Sequence, residues 1–171
     1  ASFMGREAWW SVPLAVLIAL GFAYWLARDV LRRSTGTQAM QDVAATIYEG
    51  AVAFLRRQYT TIGIFAVVTA IILGVLIGFL GRYIEVPDVS PIQIGLMTAF
   101  AFLVGAGLSA LSGIIGMWVS VKSNVRVAAA AGNGVSDALT VALRGGAVSG
   151  FTVVALSLFG VTAMYFLYGA W

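Results

Sequence analysis

Four intervals of this chain carry no Asp, Glu, Lys or Arg: residues 9–27, 60–80, 89–121 and 145–171. A bilayer's hydrocarbon core is about 30 Å thick and an α-helix rises about 1.5 Å per residue, so a crossing needs about 20 apolar residues. Each interval meets that length or comes close to it. Composition closes the alternative. A water-soluble domain has about a quarter of its residues charged, whereas here 10% are charged and 61% are hydrophobic. The expected fold class is therefore an all-α membrane protein, one transmembrane unit over 1–171. Its spans are expected near 9–27, 60–80, 94–121 and 147–169, with cytoplasmic connections at 28–59 and 122–146. A secretory signal is the rival reading of the first span. That run is long for a signal core, however. It is aromatic at both ends (Trp9, Trp10, Tyr24, Trp25) and runs into Arg28, Arg32 and Arg33 with no small-residue cleavage site.

Basic residues set the orientation. The connection after the first span carries Arg28, Arg32, Arg33, Arg56 and Arg57, and the connection after the third carries Lys122, Arg126 and Arg144. Only Arg6 and Arg82 fall on the other side. Lys and Arg are retained in the cytoplasm, so both long connections are expected inside and both termini outside, in a bacterial inner membrane. Trp9, Trp10, Tyr83, Tyr165, Tyr168 and Trp171 would then lie at the outer headgroup zone, where amphipathic rings are favoured. The net charge of +3 is explained by topology, and nucleic acid is not expected as a partner. Membrane lipid is.

The connections read as helix. After the breaker at 34–37, Met40, Val43, Ile47, Ala51 and Phe54 recur at three- and four-residue steps, one face of a helix. No proline interrupts before the second span, which predicts one long helix over about 37–80 that protrudes beyond the membrane. Ser90 and Pro91 are placed as N-cap and first residue of the third helix. Its 33 uncharged residues would make about 50 Å, so it must tilt or protrude. Gly132-Asn133-Gly134 should break it, with a short helix over 135–143 before Gly145-Gly146 starts the fourth span. These protrusions call for something further to pack against.

Chemistry is nearly absent. Lacking Cys and His, the chain has no thiolate, imidazole base or zinc site of those ligands, and the spans hold no ionisable residue from which an ion path could be built. Small residues stand instead at helical spacing: Gly105, Ser109, Ser112, Gly116 and Ser120 on one stripe, Gly74 with Gly78, and Gly146 with Gly150. These are expected helix-packing positions, because small side chains let backbones approach. Asp42 and Glu49 could hold Mg²⁺, but a phosphate-transfer site gathers several acids and lysines and this chain has one Lys. They are expected, like Asp29 and Asp137, to be surface acids pairing with arginines. Arg56, Arg57, Lys122 and Arg126 are expected to reach lipid phosphates. No catalytic, cofactor-binding or metal residue is assigned.

Two stretches carry a family resemblance. IYEGAVAFLRRQY at 47–59 resembles the second helix of the membrane-integral, ion-pumping inorganic pyrophosphatases. FLVGAGLSALSGIIGMWVSVKSNVRVAAAA at 102–131 and DALTVALRGGAVSGF at 137–151 resemble the third helix and the start of the fourth. The resemblance implies a homodimer of chains of about sixteen helices that hydrolyses pyrophosphate with Mg²⁺ on the cytoplasmic side and moves H⁺ or Na⁺ outward. It also implies that the Asp- and Lys-rich catalytic motifs lie on helices from the fifth onward, so none maps to this chain. Gly105, Ser109, Gly113, Gly116, Met117, Asn124 and Arg126 would be scaffold positions. Two functions stay open: the N-terminal scaffold of such a pump, packed against its remaining helices, or a catalytically silent structural subunit of another membrane complex. An autonomous small transporter is disfavoured by the uncharged spans.

Overall fold

A computed structural model describes residues 10–81 and 89–169, and all of its regular elements are helices: α1 (Ser11–Leu31), α2 (Gln38–Leu80), α3 (Pro91–Ala131) and α4 (Val135–Tyr168). All four are long and apolar enough to cross a membrane. A helix satisfies every internal backbone N–H and C=O within itself, which is the condition for a segment surrounded by lipid. Trp9, Tyr83, Trp171, Arg6 and Arg82 lie outside the described residues, as does most of the loop between α2 and α3.

The helix ends follow local chemistry. Thr37 is extended and its side chain accepts from the Met40 N–H, so α2 starts where the breaker ends and runs 43 residues, about 65 Å. Ser90 caps α3 in a reciprocal capping box with Gln93, and Pro91 occupies the first helical position. Pro13 sits in the first turn of α1, where its missing N–H has no helical partner to lose. The α3–α4 turn needs Gly134, whose φ of 141° is open only to a residue without Cβ.

The fourth helix departs from expectation. Instead of a short helix over 135–143 and a new start at Gly145-Gly146, α4 is continuous for 34 residues through both glycines. A mid-helix glycine costs about 1 kcal/mol relative to Ala. Gly145 is buried directly on the Ser123 side chain of α3, an approach that a larger residue would block.

The helices contact in the spatial order α2, α3, α4, α1. Among the described residues α2 contacts neither α4 nor α1, and α1 leans mainly on α4 with a narrower seam on α3. The tightest apolar centre joins Leu26, Val119 and Val148 from the three helices α1, α3 and α4. Phe22 of α1 meets Phe151 of α4 edge to face, with ring centroids 5.0 Å apart. By contrast, the apolar face expected to protrude on α2 is uncovered: Val43 is 62% and Phe54 55% exposed.

Candidate functional site

Two kinds of site emerge: backbone-to-backbone seams built on small residues, and a charged cluster where α1 ends. In the α2–α3 seam, Gly74 and Gly78 face Gly95. A methyl group placed on Gly95 would collide with the Gly74 carbonyl oxygen and stand 3.0 Å from Gly78 Cα and N; one on Gly74 would stand 3.1 Å from Ala99 Cβ. Farther along the same seam the Tyr59 hydroxyl occupies the space over Gly113.

In the α3–α4 seam, Ser112 and Gly116 are buried, and Ser149 fills the space over Gly116. The buried hydroxyls are satisfied within their own helices: Ser123 donates to the Val119 carbonyl at 2.7 Å and Thr152 to the Val148 carbonyl at 2.7 Å. Tyr168 donates to the Met97 carbonyl at 2.9 Å, so its ring end is tied to α3.

The remaining small residues of the stripe lie elsewhere. Gly105, Ser109 and Ser120 are exposed, as are Gly146 and Gly150. Gly105 and Ser109 line two neighbouring clefts, one between α2 and α3 beside Tyr59 and Phe65, the other between α3 and α4 beside Leu156 and Gly160. Gly146 and Gly150 have no atom of another helix close enough to meet an added Cβ. The stripe thus divides into a buried part that holds α3 to α4 and an open part that no described residue covers.

The charged cluster meets the expectation that Asp29 pairs with an arginine and adds contacts between helices. Asp29 accepts from Arg144 of α4 at 2.7 Å and from Arg33, one turn on, at 3.3 Å. Arg126 of α3 does not extend toward lipid. Its guanidinium turns inward and donates to the Leu31 carbonyl at 3.0 Å and the Lys122 carbonyl at 2.5 Å. Leu31 is the last residue of α1, so a cation sits on a helix C-terminus, where unpaired carbonyls and the helix dipole favour positive charge. Lys122 likewise lies over the Trp118 ring, 4.5 Å from its centroid.

The surface acids also differ from expectation. Asp42 accepts from Gln38 at 2.9 Å rather than from an arginine, and only Asp29 forms an ion pair among the described residues. Glu49 shares an open groove with Arg56 and Arg57 without reaching either. No group of three metal-ligating side chains occurs among the described residues.

A signal existed for Gly95, since Gly95 and Ala99 repeat the four-residue small spacing of Gly74 and Gly78. Asp29 pairs with Arg33 four residues on, as its position allowed, but no comparable signal marks the contacts of Arg126 with Leu31 or of Asp29 with Arg144. Those two contacts span 95 and 115 residues and depend on which helices become neighbours.

Comparison with known proteins places these helices in context. The model of the family described as inorganic H⁺ pyrophosphatase matches residues 17–170. A K(+)-insensitive pyrophosphate-energized proton pump 2 of Moorella thermoacetica is 46% identical over 158 residues, which is 92% of this chain and 21% of the relative. A K(+)-insensitive pyrophosphate-energized proton pump of Methanosarcina mazei is 42% identical over 159 residues, 93% of this chain and 22% of the relative. A Bacteroides thetaiotaomicron protein whose name proposes a K(+)-stimulated pyrophosphate-energized sodium pump is 34% identical over 168 residues, 98% of this chain and 21% of the relative. The chain therefore spans about a fifth of the length of these relatives. Four long apolar helices joined by small-residue seams, matched over nearly their whole extent, establish that this chain belongs to the inorganic H⁺ pyrophosphatase family.

Proposed function

We propose that this chain is the N-terminal scaffold segment of a membrane pyrophosphatase that couples hydrolysis of Mg-pyrophosphate to outward movement of H⁺, with the reacting groups supplied outside these residues. Na⁺ is the second candidate ion, because one relative is named for it. The observation that carries the reading is the open half of the small-residue stripe. Gly105 and Ser109 line clefts on the α2–α3 and α3–α4 seams that no helix of this chain fills, and small residues are where membrane helices dock. The uncovered apolar face of α2 has the same need for a partner. The remaining helices of the pump are the proposed occupants, with homodimerisation at the level of the whole protein.

Among the described residues no three acids come together where Mg²⁺ could be held. Asp29 is already shared by two arginines, and Asp42 is bonded to Gln38. Phosphate-transfer chemistry gathers several carboxylates around Mg²⁺, so the ion is proposed to bind in the rest of the protein. The orientation that accompanies this reading puts the basic connections inside and both ends of the chain outside, on the strength of the arginine distribution.

The test is Mg²⁺-dependent pyrophosphate hydrolysis by the protein purified from its native membrane, with intact-mass measurement of the polypeptide that contains this sequence. A polypeptide several times longer with activity supports the proposal. A native mass near 18.0 kDa without hydrolysis refutes it and identifies a silent structural subunit.

A further inference from the structure

Opposite the open stripe, α1 bridges the α3–α4 pair and leaves a cleft of about 790 Å³, within the roughly 300–1,000 Å³ range of small-ligand sites. Its walls are apolar, with Leu20 and Ala23 from α1 and Ile114 and Ile115 from α3. One end is different. Arg28 and Arg32 of α1 close it, both exposed, and Trp118 stands beside them.

Those two arginines are the unusual element. They are four apart on one helix, where like charges repel. Neither guanidinium has a hydrogen bond or ion pair with any described residue. The nearby carboxylate, Asp29, is taken by Arg33 and Arg144, and Arg126 is spent on the Leu31 and Lys122 carbonyls. The cluster thus carries an excess of cations that no described residue balances, at the mouth of a greasy cleft.

Depth agrees with the chemistry. From Leu20 to Arg28 and Arg32 is about 12 and 18 Å along α1, bracketing the roughly 15 Å of a single leaflet's hydrocarbon. Trp118, with Lys122 above its ring, is of the residue type that marks the headgroup zone.

We propose that this cleft binds one anionic phospholipid, its phosphate held between Arg28 and Arg32 and an acyl chain laid along Leu20, Ala23, Ile114 and Ile115. A phospholipid supplies the anion and the apolar chain in one molecule, at the spacing the cleft offers. A further pump helix would have to bring a carboxylate to the same depth. The inference stands apart from the proposed scaffold role, since it concerns only the surface of this segment.

Native mass spectrometry of the protein purified in mild detergent, titrated with phosphatidylglycerol or phosphatidylcholine, tests it. The parent should retain phosphatidylglycerol at least about five-fold better than phosphatidylcholine, and inorganic phosphate should not displace it. Arg28→Gln with Arg32→Gln should abolish that preference, while Arg56→Gln with Arg57→Gln, an equal loss of charge in a separate open groove on α2, should leave most of it. Equal retention of the two lipids, or equal loss in both double variants, overturns the proposal. If the first double variant does not assemble, a phosphatidylglycerol with a photoactivatable acyl chain decides on the parent. Labelling of 20–32 or 114–118 supports the site, and labelling confined to other segments, or exclusion by a pump helix, refutes it.

Discussion

Gly95 offers the most direct test of the α2–α3 seam. Replacing it with Ala adds one methyl group, and the atoms it meets are backbone: the Gly74 carbonyl oxygen, with Gly78 Cα and N at 3.0 Å. No rotamer change relieves such a contact, so the two helices must separate along the seam. Overpacking of this kind costs about 1–3 kcal/mol. Against it, Ala is the better helix former by about 0.8–1 kcal/mol. Gly63→Ala on α2 carries the same propensity gain with nothing within 4 Å of the new methyl, so the difference between the two variants isolates the clash. Unfolding of the purified protein in a titration with SDS should show Gly95→Ala less stable than Gly63→Ala by about 1–3 kcal/mol, roughly 5- to 150-fold in the equilibrium constant. Equal midpoints for the two variants would mean that the helices do not approach as described, and the reasoning would fail.

Other residues make separate predictions. Gly116→Leu should destabilise the four-helix segment because Ser149 fills the space beside it, whereas Ser109→Leu, on an open cleft, should weaken only packing of further helices; SDS unfolding of the segment alone should respond to the first variant and not the second, that of the whole pump to both, and parental behaviour of both would sink the packing argument. Arg126→Met should lose a charged hydrogen bond to the end of α1, about 1.5–3 kcal/mol, read as faster amide exchange in the last turn of α1 with little change in α2. Unchanged exchange there would show that the contact holds nothing. Replacing Arg32, Arg33, Arg56 and Arg57 together by Gln should scramble orientation. Since the chain has no cysteine, a single Cys added at either end reports sidedness to an impermeant thiol reagent, and unaltered labelling from outside counts against the arginine rule here.

Local chemistry was legible from sequence wherever neighbours in the chain decide it. Thr37 and the Ser90-Pro91 pair marked the starts of α2 and α3 because a cap bonds an N–H only three residues away. Gly132-Asn133-Gly134 marked the turn for a similar reason. Reading Gly145-Gly146 as a break failed, since local propensity weighs about 1 kcal/mol per glycine and the close seat of Gly145 on Ser123 is a tertiary fact. Gly105 and Gly116 look alike in the sequence, and only the position of α4 makes one open and the other buried. For Arg126, lipid was the reasonable partner of an interfacial arginine until α1 proved to end beside it.

The link between Asp29 and Arg144 also has a consequence for biogenesis. The two residues are separated by 115 positions, and translation proceeds at about 5–20 residues per second, so α1 waits about 6–23 s for its principal partner. The α2–α3 seam joins Gly74 to Gly95, neighbours in the chain by comparison, and can close first. The order of assembly on the ribosome is then α2 with α3, α4 onto α3, and α1 last. Until α4 is made, α1 has the bilayer and the insertion machinery for company, with Asp29 paired only to Arg33 of its own helix.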